Sequence, residues 1–305
     1  MKSAFIFPGQ ASQKVGMGFD LYENTDIGKQ LFEQANDIMD TDIQDIIFNG
    51  PEDVLKQTQY TQPAIYIVSV ILGKLLLNYG HAPSAVAGHS LGEYSALAVA
   101  DAFDFVSGLQ LVKVRAESMQ KAGEQNRGTM AAVIGLGDDI LLSVCEQCQG
   151  IVIPANYNAP GQIVISGEVD AVHVAMRKAK DAGARKVIEL NVSGAFHSPL
   201  MSPAREALAE MVKSIEIRES KFPVFSNVTG LAVSSGDDIR KNLIEQLESP
   251  VLWQDSILNM HQDGIIRFVE VGPGRVLQGL NRRIERSLKT TGVEKFTQIM
   301  DFEYV

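Results

Sequence analysis

The sequence predicts an α/β protein in which a small ferredoxin-like subdomain is inserted into a larger α/β domain. Two observations support this prediction. Residues 128–192 follow the order strand, helix, strand, strand, helix, strand, which is the ferredoxin-like order. Short apolar, strand-like segments lie on both sides of this unit, so the chain leaves the larger domain and returns to it. We therefore expect residues 1–127 and 193–305 to form the larger domain.

The elements of the small subdomain are indicated by their periodicity and by their turns. A helix is predicted over 138–149, with two aspartates in its first turn, and a second helix over 168–182 ends before Gly183. The turn-forming stretch 158–161 separates two short strands. The four predicted strands cover 130–136, 151–156, 162–166 and 185–192.

The larger domain is expected to contain a sheet with helices between its strands. Its predicted strands cover 4–7, 85–87, 223–227 and 266–271. Because the subdomain is inserted between the second and third of these strands, a cleft should form where the two parts meet. Clefts of this kind are preferred sites for small molecules.

Composition and charge restrict the classes to which this chain can belong. The 305 residues are 45% hydrophobic and 21% charged, as in packed globular domains, and the formal net charge is −10. A surface this acidic repels a nucleic-acid backbone, so we expect no nucleic-acid partner. The apolar run 4–7 is too short for a signal peptide, and the apolar stretch 64–73 is shorter than a bilayer span. We expect a cytoplasmic monomer that does not bind membranes.

The cysteine pattern gives no support for metal or redox chemistry. Cys145 and Cys148 lie three positions apart in a predicted helix, where that spacing places both thiols on one face. The sequence has no second cysteine pair to complete a tetrahedral site. We therefore expect neither a metal nor a dissociable cofactor.

Ser90 is the most informative residue, because residues 88–92 form the pattern G-x-S-x-G between a strand-like segment and a helix-like one. This order is typical of the nucleophile elbow of α/β-hydrolases, so we expect the larger domain to be α/β-hydrolase-like. The backbone N–H groups that open the following helix would stabilise an oxyanion beside the serine. The alternative interpretation is an ordinary turn between two glycines.

A nucleophilic serine needs a base, and His197 is the strongest candidate among the five histidines. It follows the last predicted strand of the subdomain, where the chain re-enters the larger domain. Between Ser90 and His197, no acidic residue lies in an obvious loop after a strand of the larger sheet. We therefore expect a dyad whose imidazole is oriented by a main-chain carbonyl. A loop histidine without a catalytic role is the alternative.

Several short motifs occur in a fixed order along nearly the whole chain. They are Phe7-Pro8-Gly9-Gln10, Gln62-Pro63-Ala64, Gly88-His89-Ser90-Leu91-Gly92-Glu93, Arg115, Asn158-Ala159-Pro160-Gly161-Gln162, Gly194-Ala195-Phe196-His197 and Val271-Gly272-Pro273-Gly274. In this order they resemble the malonyl-CoA:acyl carrier protein transacylases, in particular the stand-alone bacterial type.

The resemblance implies a role for each matching residue. Ser90 would be the nucleophile, and His197 would be the general base and acid. Arg115 would pair with the free carboxylate of malonate, which a guanidinium can bind through two parallel hydrogen bonds. Gln10 and Leu91 would supply the N–H groups of the oxyanion hole.

Further substrate contacts are expected from Phe196, His89 and Asn156, with Phe196 favouring malonyl over bulkier methylmalonyl units. The chain also departs from the family pattern at two places. Ala11 replaces the second glycine of a loop usually written G-Q-G-S-Q, and we expect the loop to avoid a positive φ there, which would cost about 1 kcal/mol or more. Leu252 stands where glutamine commonly precedes tryptophan, and we expect its main-chain carbonyl to orient His197.

The implied reaction moves a malonyl group from malonyl-CoA to the phosphopantetheine thiol of acyl carrier protein through a seryl ester, supplying fatty-acid synthesis. A serine hydrolase or thioesterase with the same elbow chemistry is one alternative. A scaffold that docks carrier protein without catalysis is another, although the presence of both Ser90 and His197 argues against it.

A basic helix face is a candidate docking surface for an acidic carrier protein. It comprises Arg275, Arg282, Arg286 and Lys289, which recur at helical spacings. A solvated helix face without a partner is the alternative interpretation.

Overall fold

The computed structural model describes residues 2–303 and contains two β-sheets with helices packed around them. The strands are β1 (Ser3–Phe7), β2 (Ala85–Gly88), β3 (Gly128–Ile134), β4 (Val152–Ala159), β5 (Gln162–Glu168), β6 (Lys186–Glu189), β7 (Val224–Phe225), β8 (Ala232–Val233), β9 (Arg267–Val271) and β10 (Lys289–Val293). The helices are α1 (Phe19–Asn24), α2 (Asp26–Met39), α3 (Ile43–Asn49), α4 (Glu52–Leu55), α5 (Thr58–Asn78), α6 (Gly92–Val99), α7 (Phe105–Gln125), α8 (Asp138–Glu146), α9 (Val169–Asp181), α10 (Ser202–Ser214), α11 (Gly236–Glu245), α12 (Trp253–Gln262), α13 (Val276–Ile284) and α14 (Phe296–Met300).

The larger sheet has six strands in the order β10-β9-β1-β2-β7-β8. Its first five strands are parallel to their neighbours, and β8 pairs antiparallel with β7 at one edge. Strands β1 and β2 lie side by side, with Phe7 opposite Gly88 at their carboxyl ends. Loops that leave adjacent parallel strands meet at this edge, which is where ligands bind in open α/β sheets.

Strand β1 shows why this sheet lies in the middle of the larger domain. All of its residues are buried, with Phe5 and Phe7 in one apolar cluster and Ala4 and Ile6 in another. Because successive side chains point to opposite faces of a strand, both faces of the sheet must be covered. The sheet is therefore a fixed platform for the loops at its carboxyl edge.

The smaller sheet is antiparallel, with four strands in the order β4-β5-β3-β6. Helices α8 and α9 pack against each other and against this sheet. Side chains from the two helices and the sheet form an apolar cluster separate from those of the larger domain. This is the predicted ferredoxin-like arrangement, made by a continuous part of the chain between α7 and α10. The domain boundaries at residues 128 and 192 stay a prediction.

The small subdomain is joined to the larger domain by main-chain hydrogen bonds. Val251 donates its N–H to the carbonyl of Ala155 and accepts the N–H of Tyr157, both at 2.9 Å. Strand β4 therefore lies beside the segment that connects α11 to α12. This contact brings the edge of the small sheet close to the carboxyl edge of the large one.

Helix α5 extends beyond the predicted apolar stretch 64–73 and has 21 residues. By length and composition alone, a helix of this kind could cross a membrane. Most of its length is nevertheless buried inside the protein, where it packs against α6 and α7. The apolar side chains of α5 are therefore explained by its position in the protein core.

Two expectations about the carboxyl-terminal third were wrong. The strand predicted over 223–227 is only two residues long, and the edge strands β8 and β10 were not predicted. The basic residues Arg275, Arg282, Arg286 and Lys289 do not share a helix face. Helix α13 begins after Arg275 and ends at Ile284, and Lys289 opens β10.

Candidate active site

Ser90 occupies the tight turn between β2 and α6, with a positive φ of 52° that costs about 1 kcal/mol or more. A Cβ at Gly88 would overlap the backbone of Gly92, and a Cβ at Gly92 would overlap the carbonyl of Phe7. The glycines are therefore required for the close approach of strand, turn and helix. This is the geometry of a nucleophile elbow.

Asn227 fixes the elbow from the turn that follows the neighbouring strand β7. Its side-chain oxygen accepts the N–H of Ser90 at 2.6 Å, and its side-chain nitrogen donates to the carbonyl of Gly88 at 2.6 Å. Because the Ser90 N–H is occupied in this way, it is not available to an oxyanion. The strained turn is held by two hydrogen bonds to one buried amide.

His197 lies against Ser90, with its Nε2 at 2.8 Å from the serine Oγ. Its Nδ1 is 2.9 Å from the carbonyl of Gln246 and 3.1 Å from that of Ser249. Carbonyl oxygens only accept hydrogen bonds, so Nδ1 carries the proton in the neutral ring and Nε2 is the free base. The serine hydroxyl can therefore donate its proton to His197.

The group that orients His197 is a main-chain carbonyl, but it does not belong to Leu252. Leu252 precedes α12, and its carbonyl accepts hydrogen bonds from the N–H and hydroxyl of Ser256 in the first turn of that helix. The prediction for Leu252 was wrong because the cap of α12 uses this carbonyl. The carbonyls that contact the imidazole belong to Gln246 and Ser249, which precede Leu252 in the chain.

Arg115 reaches the same serine from α7. Its guanidinium is fully buried and donates to Ser90 Oγ at 3.0 Å, to the side-chain oxygen of Gln246 at 3.0 Å and to that of Gln62 at 2.6 Å. The cation also lies over the ring of Tyr94, at 5.3 Å from its centroid. Within residues 2–303 no carboxylate forms an ion pair with Arg115, so this buried cation is held by neutral groups.

The electrostatics of the site favour a neutral imidazole. Burial, followed by the positive charge of Arg115, lowers the pKa of His197 to about 3. Burial also lowers the pKa of Arg115, in part offset by Tyr94 and Glu93. His197 is consequently in its basic form at neutral pH, as a general base must be.

Gln10 and Leu91 lie in the loops that follow the adjacent strands β1 and β2. Leu91 stands immediately before α6, and among residues 2–303 neither main-chain N–H has a hydrogen-bond partner. Ala11 has a φ of 81°, so the expectation that this loop avoids a positive φ was wrong. Its N–H donates to the side-chain oxygen of Gln13 at 2.8 Å, which offsets part of the strain.

The remaining predicted residues surround this centre. Phe196 is buried beside His197 in the main apolar cluster, and Asn156 is buried on β4. The Nε2 of His89 lies 2.7 Å from the side-chain oxygen of Asn158, and its ring is 5.7 Å from that of Trp253. His89 therefore connects the elbow to the small subdomain through Asn158 rather than through Asn156.

Sequence reasoning assigned no role to several residues that hold this site. They are Gln62, Glu93, Asn227, Gln246 and Ser249. Two of these lie inside motifs visible in the sequence, namely 62–64 and 88–93. The others carry no local signal, because their contacts depend on how distant segments pack.

Comparison with known families decides the class of protein to which this geometry belongs. The acyl transferase domain family matches residues 4–299, which is nearly the whole chain. The chain belongs to this family. The α/β fold predicted from the sequence and the resemblance carried by its motifs are thereby confirmed.

Individual members of the family resemble the chain over its full length. A malonyl CoA-acyl carrier protein transacylase of Bacillus subtilis is 42% identical over 295 residues, covering 96% of this chain and 93% of the relative. One of Haemophilus influenzae is 40% identical over 296 residues, covering 96% and 95%.

Solved structures of the family superpose closely on this one. An acyl carrier protein S-malonyltransferase of Vibrio cholerae has a TM-score of 0.96 at 38% identity, covering 99% of this chain and 100% of that one. A malonyl-transacylase in complex with a type II PKS acyl-carrier protein has a TM-score of 0.94 at 39% identity, covering 98% of each chain.

Proposed function

We propose that this chain transfers a malonyl group from malonyl-CoA to the phosphopantetheine thiol of acyl carrier protein, through an ester on Ser90. The observation that carries the proposal is the position of Ser90 Oγ, which contacts both the His197 base at 2.8 Å and the buried Arg115 guanidinium at 3.0 Å. A hydrolase needs the base, whereas a buried cation at the nucleophile suits an acyl group with a free carboxylate.

The first half-reaction forms the ester. The Oγ of Ser90 attacks the thioester carbonyl while Nε2 of His197 takes its proton. The N–H groups of Gln10 and Leu91 are proposed to stabilise the resulting oxyanion, assisted by the positive end of α6. When the C–S bond breaks, the imidazolium returns the proton to the departing thiolate of coenzyme A.

The second half-reaction uses the same groups in reverse. Nε2 of His197 takes the proton from the phosphopantetheine thiol, and the thiolate attacks the ester on Ser90. The ester C–O bond breaks, and the proton returns to Oγ. The carbonyls of Gln246 and Ser249 hold the imidazole in one tautomer throughout both halves.

Arg115 is proposed to bind the malonyl carboxylate and so to orient the thioester toward Ser90. A guanidinium offers parallel N–H groups that match the two oxygens of a carboxylate. In a buried, water-poor site this contact discriminates strongly against an acyl group that lacks the charge.

The neighbours of the dyad are proposed to shape the acyl site. The Phe196 ring narrows the space beside the substrate α-carbon, which excludes methylmalonyl units. His89 beside the nucleophile and Asn156 on β4 of the small subdomain contribute further substrate contacts. We also propose that the protein acts as a monomer in the cytoplasm, without a membrane partner.

Mass spectrometry of the intact protein tests this function against the alternatives. After brief incubation with malonyl-CoA, we expect a malonyl adduct on Ser90 that persists in buffer and disappears when carrier protein is added. Free malonate without a lasting adduct would instead support a thioesterase. If carrier protein binds to this chain but receives no malonyl group, the result would support the alternative in which the chain is a scaffold without catalytic activity.

A further inference from the structure

A carboxyl group is buried one helical turn from the nucleophile, and the reaction described above does not use it. Glu93 is the second residue of α6, and only 2% of its surface is exposed. One carboxyl oxygen accepts the side-chain N–H of Gln246 at 2.6 Å and the main-chain N–H of Asn227 at 3.2 Å. Within residues 2–303 it forms no ion pair, so its contacts are hydrogen bonds to neutral groups.

Gln246 connects this carboxyl to both functional side chains. Its side-chain nitrogen donates to Glu93 and to the carbonyl of Ser90, and its side-chain oxygen accepts from Arg115 at 3.0 Å. Its main-chain carbonyl accepts the Nδ1 proton of His197 at 2.9 Å. One glutamine therefore contacts the base, the nucleophile and the cation.

The orientation of the Gln246 amide depends on Glu93. The Glu93 oxygen that faces Gln246 also accepts the main-chain N–H of Asn227, so it acts as an acceptor in either protonation state. It therefore requires the NH₂ side of the amide and leaves the amide oxygen facing Arg115. A flipped amide would place its donors against the guanidinium and its oxygen against the carboxyl group, and both contacts would be lost.

We propose that Glu93 is a positioning residue for malonyl selectivity: it fixes the Gln246 amide, which places the Arg115 guanidinium and supports the His197 imidazole. The inference rests on the proposed function, since it assumes that Arg115 binds the malonyl carboxylate. It adds a residue that touches neither substrate nor reacting atoms.

The charge of Glu93 gives this role a measurable pH signature. Burial raises the pKa of Glu93 to about 7, although hydrogen bonds from Gln246, Asn227 and Ser226 and the charge of Arg115 act in the opposite direction. A malonyl carboxylate on Arg115 brings a second negative charge near Glu93 and is therefore bound more weakly when Glu93 is ionised.

The other titratable groups around the elbow stay in one form near neutral pH. Tyr94, beside Glu93 on α6, has its pKa raised to about 12 by burial, and His197 has its pKa lowered to about 3. Burial lowers the pKa of His89 on the other side of the elbow. Of the other elements that pack against α6, the strands β1, β2 and β7 contain no titratable side chain. Helix α5 supplies Tyr66, whose pKa burial raises well above its usual value, and α7 supplies Arg115. Glu93 is therefore the group expected to titrate near pH 7.

The test compares Glu93→Ala and Glu93→Gln with the unmodified protein, measuring kcat/KM for malonyl-CoA and acetyl-CoA from about pH 6 to pH 9. Glutamine retains an oxygen that accepts from Gln246 and Asn227 but removes the charge. We expect Glu93→Ala to lower the malonyl-to-acetyl ratio by roughly 10- to 100-fold, and Glu93→Gln to restore it to within about threefold.

The pH profile separates positioning from a merely structural role. In the unmodified protein the malonyl-to-acetyl ratio should fall as pH rises through 7, because ionised Glu93 opposes the substrate carboxylate, whereas Glu93→Gln should show a flat ratio. Glu23→Gln removes an exposed charge on α1 and is the matched control, with an unchanged profile expected.

The inference is overturned if Glu93→Gln and the unmodified protein share one pH profile, or if Glu93→Ala keeps the original ratio. Should the alanine variant not fold, the Glu93→Gln profile decides alone. Failure of the proposed function looks different, because the unmodified protein would then form no malonyl ester on Ser90 at any pH.

Discussion

The two sheets contribute to the site in different ways. The parallel sheet ends at the elbow, and its loops hold Ser90, the Leu91 N–H and the Asn227 clamp in fixed positions. The antiparallel sheet contributes Asn158 from its edge strand β4, and this side chain contacts His89. The reacting groups therefore depend on the larger sheet, and the smaller one forms one side of the cleft. We expect substitutions to have effects that follow this division.

The largest effect is expected at the nucleophile. Ser90→Ala should abolish the malonyl adduct and lower transfer by roughly a thousandfold or more, because only binding and oxyanion stabilisation remain. Intact mass after incubation with malonyl-CoA measures the adduct directly. An adduct formed in undiminished yield would place the nucleophile elsewhere.

His197→Ala should come next, with a loss of roughly 100- to 10,000-fold in both half-reactions, because one imidazole takes and returns the proton. Rapid-quench measurement of acylation by malonyl-CoA and of transfer to carrier protein checks each half separately. If only one half slows, a second base must serve the other.

The lowered pKa of His197 adds a pH prediction with a definite sign. A histidine with an ordinary pKa near 6.5 would lose most of its basic form by about pH 5. Because the pKa of His197 is lowered to about 3, it stays neutral over this range, and the rate of acylation should be nearly constant from about pH 5 to 6.5. If the rate of acylation instead fell to half of its plateau value as the pH was lowered to about 6.5, the pKa of His197 would not be lowered as described.

Arg115→Ala should lower kcat/KM for malonyl-CoA by roughly 10- to 150-fold, the loss expected for a charge-assisted contact of about 1.5 to 3 kcal/mol. Acetyl-CoA has no carboxylate to lose, so its activity should be held or increased. The ratio of the two specificity constants cancels general damage to the fold. An unchanged ratio would show that Arg115 does not bind the carboxylate.

The smaller sheet is expected to matter less. Asn158→Ala removes the acceptor of His89 and should lower malonyl transfer by roughly 2- to 10-fold, the range for one neutral hydrogen bond. Tyr157→Phe, at the neighbouring position of β4, is the matched comparison, since it removes one polar group and leaves the His89 contact intact. If Asn158→Ala lowered malonyl transfer as much as Arg115→Ala does, the smaller sheet would contribute to the reaction as strongly as the larger domain, contrary to this prediction.

The parts of the site that could be predicted are those determined by local geometry. The elbow at Ser90 follows from five consecutive residues, and a carbonyl partner for His197 followed from the lack of a suitably placed acid. Gln246 and Glu93 are separated by 153 residues, and no periodicity relates them. Ala11 takes a positive φ, and the hydrogen bond from its N–H to the Gln13 side chain offsets part of the strain. Contacts of this kind depend on three-dimensional packing that the pattern of residue types does not express.

The smallest effect is expected at Leu252, where the family pattern suggested an orienting group. Its carbonyl accepts hydrogen bonds within α12, while His197 is held by the carbonyls of Gln246 and Ser249. Leu252→Ala keeps every main-chain group and should change malonyl transfer by less than about threefold. The measurement is kcat/KM at neutral pH, with thermal unfolding as a control for packing loss. A loss above about tenfold in a folded variant would mean that the Leu252 side chain supports the imidazole after all. In that case the packing of the whole segment 246–252, and not only the carbonyls of Gln246 and Ser249, would determine the orientation of the His197 imidazole.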